Sequence, residues 1–280
     1  MLRFTKMNGA GNDFILIDNR MGDVRLDRSQ ITQLCDRHRG IGADGILLLE
    51  KPGNCADFRM RYFNADGGEA EMCGNGARCF ARFANKVAAA KEEISFETQA
   101  GVISAELKGD SVTLGMTEPT DLRLNLNLPV EAVPRRFSGD RSATRASRLL
   151  HFINSGVPHV VIPVPNINDV NVRREGAAIR YYKTFSPNGT NVNFIEKRAA
   201  KKIAIRTYER GVEDETLACG TGIVASALIF GATEGCQGPI TVLARGGDEL
   251  QVGFETVAGR FCNVTLTGPA EFVFEGTIEI

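Results

Sequence analysis

Arg3 to Met7 alternates polar and apolar positions, a Gly- and Asn-rich turn runs from Asn8 to Asp13, and Phe14 to Asp18 is apolar. That is the pattern of a hairpin-like strand pair. Residues 27–38 pattern as a short helix, and Ile46 to Glu50 and Asp57 to Phe63 as strands. From Cys73 to Ala90 the composition is helical, with Ala77, Phe80, Ala81, Ala84, Val87 and Ala88 at apolar helical spacing. Strands are predicted next at 93–98, 101–107 and 111–116. Residues 117–148 carry Pro119, Pro134 and scattered charge, and part of this run is expected to connect two lobes. The pattern then starts again: a strand at Val160 to Val164, a helix at 168–180, strands at Val192 to Ile195 and Lys202 to Tyr208, a helix at Gly222 to Ala232, and strands to the end.

The second start is an internal repeat. Arg61 to Gly76 and Arg206 to Gly222 each read as a strand, an acidic turn, a C-G-x-G and then an Ala-rich helix. Cys73 and Cys219 stand 146 positions apart, just over half the chain, which implies two lobes of similar topology with one cysteine each. The helix after Cys219 is apolar nearly all the way round (Ile223, Val224, Ala225, Ala227, Leu228, Ile229, Phe230), so it must be buried on every side. A strand-rich lobe wrapped around one central helix would bury it. The helix after Cys73 is similar but carries Arg78 and Arg82 on one edge.

Composition narrows the class. A chain of 280 residues makes one large domain or two modest ones. Its 33 basic and 34 acidic residues nearly cancel, which argues against a nucleic-acid footprint or a polybasic membrane patch. The N-terminus is charged at once and lacks the apolar core of a signal peptide. The most apolar stretch, Ile223 to Ala232, is too short for a membrane span. A cytoplasmic location is the default expectation. Seven cysteines, an odd number, argue against a secreted disulfide framework. With no C-x-x-C and only His38, His151 and His159, no metal is expected. Gly40-Ile-Gly-Ala-Asp-Gly45 fits G-x-G-x-x-G, but it precedes a strand rather than opening a helix, so it is not read as a nucleotide site.

Both repeat cysteines sit where a turn feeds a helix. A helix N-terminus presents unpaired N–H groups and partial positive charge, which favours thiolate and cradles a carboxylate. The flanking glycines let a ligand approach the backbone. Two thiols flanking one bound carboxylate suit inversion at an α-carbon: one thiolate removes a proton from one face while a thiol delivers one to the other. The helix ends would stabilise the carbanion-like charge. Cys35, Cys55, Cys79, Cys236 and Cys262 lack this context and are read as core filler.

At these residues the chain resembles diaminopimelate epimerase. The likeness runs through Lys6-Met-Asn-Gly-Ala-Gly-Asn-Asp-Phe14, Arg37 to Gly45, Phe63 to Gly67, Cys73 to Arg82, Gly156-Val-Pro-His159, Gly189 to Asn193, Tyr208 to Gly211 and Ala218 to Gly222. The resemblance implies an α+β fold of two pseudo-symmetric lobes, each a mixed β-sheet rolled around a central α-helix. The lobes would be residues 1–117, with 263–280 returning to it, and 118–262, with substrate in the cleft between them. It implies a homodimer without pyridoxal phosphate, other cofactor or metal. The implied reaction turns L,L-diaminopimelate into the meso form, on the route to lysine and peptidoglycan.

Carried over by motif, Cys73 and Cys219 are the acid/base pair. Gly74, Asn75, Gly220 and Thr221 would hold the reacting carboxylate, and Asn12, Asn64 and Asn191 would line the pocket. Glu209 and Arg210 would meet the distal amine and carboxylate, and His159 would orient substrate or set charge. A bidentate Arg grip suits the distal carboxylate, and a wrong substrate would leave these groups unpaired. Two positions depart from many family members: Val157 stands where Asn is common before Pro-His, and Gly45 where some have Gln. The rival readings are a racemase of proline, hydroxyproline or histidine on the same scaffold, a cofactor-free isomerase like that of phenazine biosynthesis, and a non-catalytic binding pair of lobes. The first would not need Asn64, Glu209 and Arg210, the second does not use paired cysteines, and the third would not need the thiols.

Overall fold

The computed structural model describes residues 1–126 and 149–280; most of the connecting run expected at 117–148 lies outside the described residues. The chain divides into two compact units, residues 1–115 with 267–280, and residues 116–266.

The first unit opens with an antiparallel hairpin of β1 (Leu2–Gly9) and β2 (Asn12–Asp18), turned by Ala10 and Gly11 at positive φ. Helix α1 (Arg28–Cys35) starts at Asp27, which forms a capping box with Gln30. It leads to β3 (Gly45–Glu50), parallel to β2, and β4 (Phe58–Asn64), antiparallel to β3. The short β5 (Glu69–Ala70) folds back on β4 and feeds α2 (Gly74–Ala88). Then β6 (Glu93–Thr98) lies parallel to β4, followed by the antiparallel β7 (Gly101–Lys108) and β8 (Ser111–Gly115). Phe14 to Ile17 and Ile46 to Leu49 are unbroken buried apolar runs, because both faces of these parallel strands are covered. Ile15, Ile17, Ile46 and Leu48 pack with Ile31 and Leu34 of α1. On the other face Phe14 and Leu47 meet α2 at Gly76.

The second unit repeats this plan. Strand β9 (Thr120–Leu126) pairs with β10 (Leu150–Asn154), which is antiparallel to β11 (Pro158–Pro163). Helix α3 (Val172–Arg180) leads to β12 (Asn191–Ala199), parallel to β11, then to the antiparallel β13 (Lys202–Glu209) and β14 (Asp214–Thr216). Helix α4 (Gly220–Glu234) precedes β15 (Ile240–Leu243), parallel to β13, and then β16 (Glu249–Val257) and β17 (Arg260–Pro269). The final strand, β18 (Glu271–Ile278), belongs to the first unit and pairs with β1. Every pairing from β1 to β6 thus has its counterpart from β10 to β15, in the same order and sense.

Each unit is a mixed sheet wrapped around one helix. Residues Gly222 to Gly231 of α4 are buried without a break, as an apolar helix requires. In α2 the guanidinium of Arg78 is fully buried rather than on an outer edge. The helix expected over 168–180 begins only at Val172. Asn166 caps a separate 3₁₀ turn (Ile167–Asp169), and Asn171 then caps α3 through Arg174 N. Among the described residues no helix is long and apolar enough to cross a membrane.

Candidate active site

Cys73 and Cys219 occupy the same local position. Each is the extended residue before a 15-residue helix, and neither side chain caps that helix. Their carbonyls accept the first helical bonds, from Ala77 N at 2.7 Å and Ile223 N at 2.9 Å. A Ser or Asp there would close off a first-turn N–H; cysteine leaves these donors to a ligand. Cys73 is half-buried and Cys219 is buried.

In the first unit a chain of amides fixes the turn at Cys73. The Arg78 guanidinium donates to Asn75 Oδ1 at 2.9 Å and reaches the carbonyls of Pro269 at 3.2 Å and Gly74 at 3.4 Å. The cation takes the Asn75 oxygen, so its Nδ2 faces Asn12 Oδ1 at 2.7 Å. The Nδ2 of Asn12 then meets Asp44 Oδ2 at 2.8 Å. Beyond Asp44, Arg37 bridges to Asp13, which also pairs with the buried Lys6 at 2.8 Å. Burial would raise the Asp13 carboxyl, but hydrogen bonds from Arg37 and Lys6 outweigh it and hold the group at about 2. The end of β1 presses on this turn: a Cβ on Gly9 would lie 2.7 Å from Asn75 O. Asn12, Gly74 and Asn75 are thus brought together beside Cys73. Asn64 is not in this network; it ends β4 in an exposed turn closed by Gly67 N to its carbonyl at 2.9 Å.

In the second unit Cys219, Thr221 and His159 come together. Cys219 Sγ lies 3.6 Å from Thr221 Oγ1, and His159 Nε2 lies 2.9 Å from that hydroxyl. Ser155 Oγ donates to Thr221 O at 2.8 Å and pins the first turn of α4, which begins at Gly220. His159 is fully buried; desolvation, helped by the positive charge of Arg210, pushes its imidazole down to about 3. The side chain of Asn191 is committed to backbone, donating to Pro158 O at 3.2 Å and accepting from Arg210 N at 2.8 Å. It therefore positions the Arg210 turn, using one of its two amide hydrogens. Arg210 Nη1 reaches Asn188 O at 3.2 Å. Glu209 accepts from Thr216 Oγ1 at 2.8 Å, and burial raises its carboxyl despite that bond.

At Gly45 a Cβ built on this backbone would lie 2.4 Å from Phe63 O, so a larger residue there needs the β3–β4 backbone to shift. One other sequence expectation changes. Of the cysteines read as filler, Cys35 and Cys79 are buried, whereas Cys55 is exposed and Cys236 and Cys262 are only half-buried. The sequence reading also missed Asn193 and Thr207. Asn193 follows Asn191 by two in the buried first half of β12, where Val192, Phe194 and Ile195 are apolar, and that period-two polar pair was the available signal.

The fold has solved relatives. A phenazine biosynthesis protein of the PhzF family from Bacillus anthracis matches with a TM-score of 0.73 at 16% identity, over 100% of this chain and 99% of that one. A probable proline racemase from Agrobacterium radiobacter matches with a TM-score of 0.68 at 15% identity, over 100% and 93%. At these identities the likeness defines the fold, an α+β architecture that these proteins share. Sequence carries the assignment further. Residues 4–122 and 151–273 match the diaminopimelate epimerase family. The chain is 42% identical to the diaminopimelate epimerase of Chlorobaculum tepidum over 98% of its own length and 100% of that protein. With that of Aquifex aeolicus it shares 40% identity over 99% and 98%. The chain belongs to the diaminopimelate epimerase family, and its members are isomerases.

Proposed function

We propose that this chain converts L,L-diaminopimelate to the meso form by inverting one α-carbon, with Cys73 and Cys219 as acid and base. The observation that carries this reading is the matched pair of helices, each entered through a cysteine that does not cap it, in a chain of this family. One sulfur, as thiolate, removes the α-proton, and the other, as thiol, protonates the opposite face. The charge that develops on the carboxylate is met by first-turn N–H groups of α2 and α4, at Gly74, Asn75, Gly220 and Thr221, aimed where negative charge grows. Asn12, Asn64 and Asn191 line the bound substrate, and Glu209 and Arg210 receive the distal amine and carboxylate. His159, neutral through the physiological range, adds no competing cation. No cofactor or metal is required, and the working form is a cytoplasmic homodimer.

The test is proton NMR of L,L-diaminopimelate with reduced enzyme in deuterated water, beside L-proline, L-hydroxyproline and L-histidine. The expected result is loss of the α-proton signal with appearance of the meso isomer, for diaminopimelate alone. Exchange only in one of the other amino acids would keep the two-thiol chemistry and replace the substrate. No exchange in any, with thiols shown to be reduced, would overturn the reading.

A further inference from the structure

The hydrogen bonds around His159 have a definite direction. Asn193 is fully buried on β12, with its Nδ2 at 2.9 Å from Val160 O. A carbonyl oxygen only accepts, so the amide nitrogen stands there. Thr207 Oγ1, across the β12–β13 pairing, donates to Asn193 Oδ1 at 2.9 Å and agrees with that orientation. The second amide hydrogen points at His159 Nδ1, 3.1 Å away. Nδ1 must therefore accept. A cationic imidazole would set N–H against N–H, so the ring is neutral with its proton on Nε2. Nε2–H donates to Thr221 Oγ1 at 2.9 Å. With its oxygen so engaged, the Thr221 hydroxyl can turn its own proton to Cys219 Sγ at 3.6 Å.

We infer that Asn193 is a positioning residue: acting through His159 and Thr221 it aims a hydroxyl proton at Cys219, which makes Cys219 the sulfur that rests as thiolate. A hydrogen bond donated to the charged form favours that form. The start of α4 acts in the same sense. Of the titratable groups on strands packed against α4, His151 on β10 and His159 on β11 are buried, and burial lowers both imidazoles. Glu209 at the end of β13 is held by Thr216, and Arg210 acts on His159 through space. The packing guards the relay's geometry: a Cβ on Gly222 would lie 2.5 Å from Asn193 Oδ1 and 3.4 Å from Cys219 Sγ. In the proposed epimerisation, on which the word base rests, Cys219 is then the base in the resting enzyme and Cys73 the acid.

The test reads the sulfur and not the turnover. The full, reduced chain is treated with limiting iodoacetamide across pH 5 to 10, and alkylation of the Cys219 peptide is followed by mass spectrometry. Thr221→Val keeps the side-chain volume and removes the hydroxyl, Thr221→Ser restores it, and Asn193→Ser releases the His159 tautomer. Thr221→Val is expected to slow Cys219 alkylation at pH 7 about tenfold, the scale of a lost hydrogen bond to a charged group, and to move the midpoint upward. Thr221→Ser should stay near the parent, and Asn193→Ser should move the midpoint upward too. An unchanged midpoint in Thr221→Val, in protein with native circular dichroism, would overturn the inference. A lowered midpoint would overturn it as well, since it would mean that the sulfur donates to Thr221. Alkylation needs no substrate, so a failed epimerase assay leaves this result standing, and a failed relay leaves the epimerase reading intact.

Discussion

At the scale of a residue, His159 couples the site to acid stability. Its folded pKa is depressed from 6.5 to about 3, so the unfolded chain takes up a proton that the folded one refuses. The stability this contributes is complete above pH 6.5 and is lost as pH falls toward 3. Asp13 acts with the same sign, but its window lies between 3.8 and about 2. The two are therefore separable. Urea unfolding from pH 7 down to 4.5 should lose stability faster in the parent than in His159→Gln. Below pH 6.5 the difference should grow by about 1.4 kcal/mol per pH unit. His151, whose imidazole burial also lowers, is common to both proteins and cancels. Parallel curves would show that the buried imidazole exerts no such pull. The candidate site was legible at this scale only where residue type announces chemistry. Cys73, Cys219 and His159 stood out, but Asn193 reads as a strand residue until His159 and Val160 of β11 and Thr207 of β13 close around it from two neighbouring strands.

At the scale of an element, α2 and α4 show what the cysteines forgo. Residues that accept an N–H at the cap stabilise a helix by about 1 kcal/mol over those that do not. Cys73 does not cap α2, so a capping hydroxyl there has stability to add. Cys73→Ser should unfold with about 1 kcal/mol more stability than Cys73→Ala, and neither variant should epimerise diaminopimelate. Equal stability of the two, by thermal or urea unfolding, would mean that the turn cannot bend the hydroxyl onto the first N–H groups. These helices were readable in advance because their burial is written in their composition: α4 is apolar on every side, and α2 alternates alanine with phenylalanine. Helix α3 was less readable. Asn166 and Asn171 both cap, and the pattern of apolar residues runs across both without marking the break. The burial of Arg78 was also invisible, because its acceptors are backbone carbonyls at Gly74 and Pro269, the latter 191 positions away, and the Asn75 amide.

At the scale of the molecule, the repeat is complete except for one permuted strand. In the second unit the partner of the leading strand comes first in the chain, as β9 before β10. In the first unit the partner of β1 comes last, as β18. Local patterns cannot show this, because a strand's own residues do not say which distant strand it will pair with. The arrangement makes the first unit depend on the final residues of the chain. Leu2 to Asn8 pair along β18, Phe4 packs edge-on against Phe274 with ring centroids 5.9 Å apart, and Gly276 makes room for the Phe4 ring. A chain ending at Ala270 should therefore lose hydrogen-exchange protection in β1 and β2 while β11, β12 and β13 keep theirs. The register sets Leu2 opposite Ile278, so the two ends of the chain lie side by side. A permutant that begins at Glu271, runs through Ile280 by a short Gly-Ser turn into Met1 and ends at Ala270 keeps β17 whole and would give the first unit the strand order of the second. Protection of β1 should return in that permutant. If it stayed lost while the second unit remained folded, the first unit would require β18 to arrive after β17, and the likeness of the two units would extend to their pairing but not to how they fold.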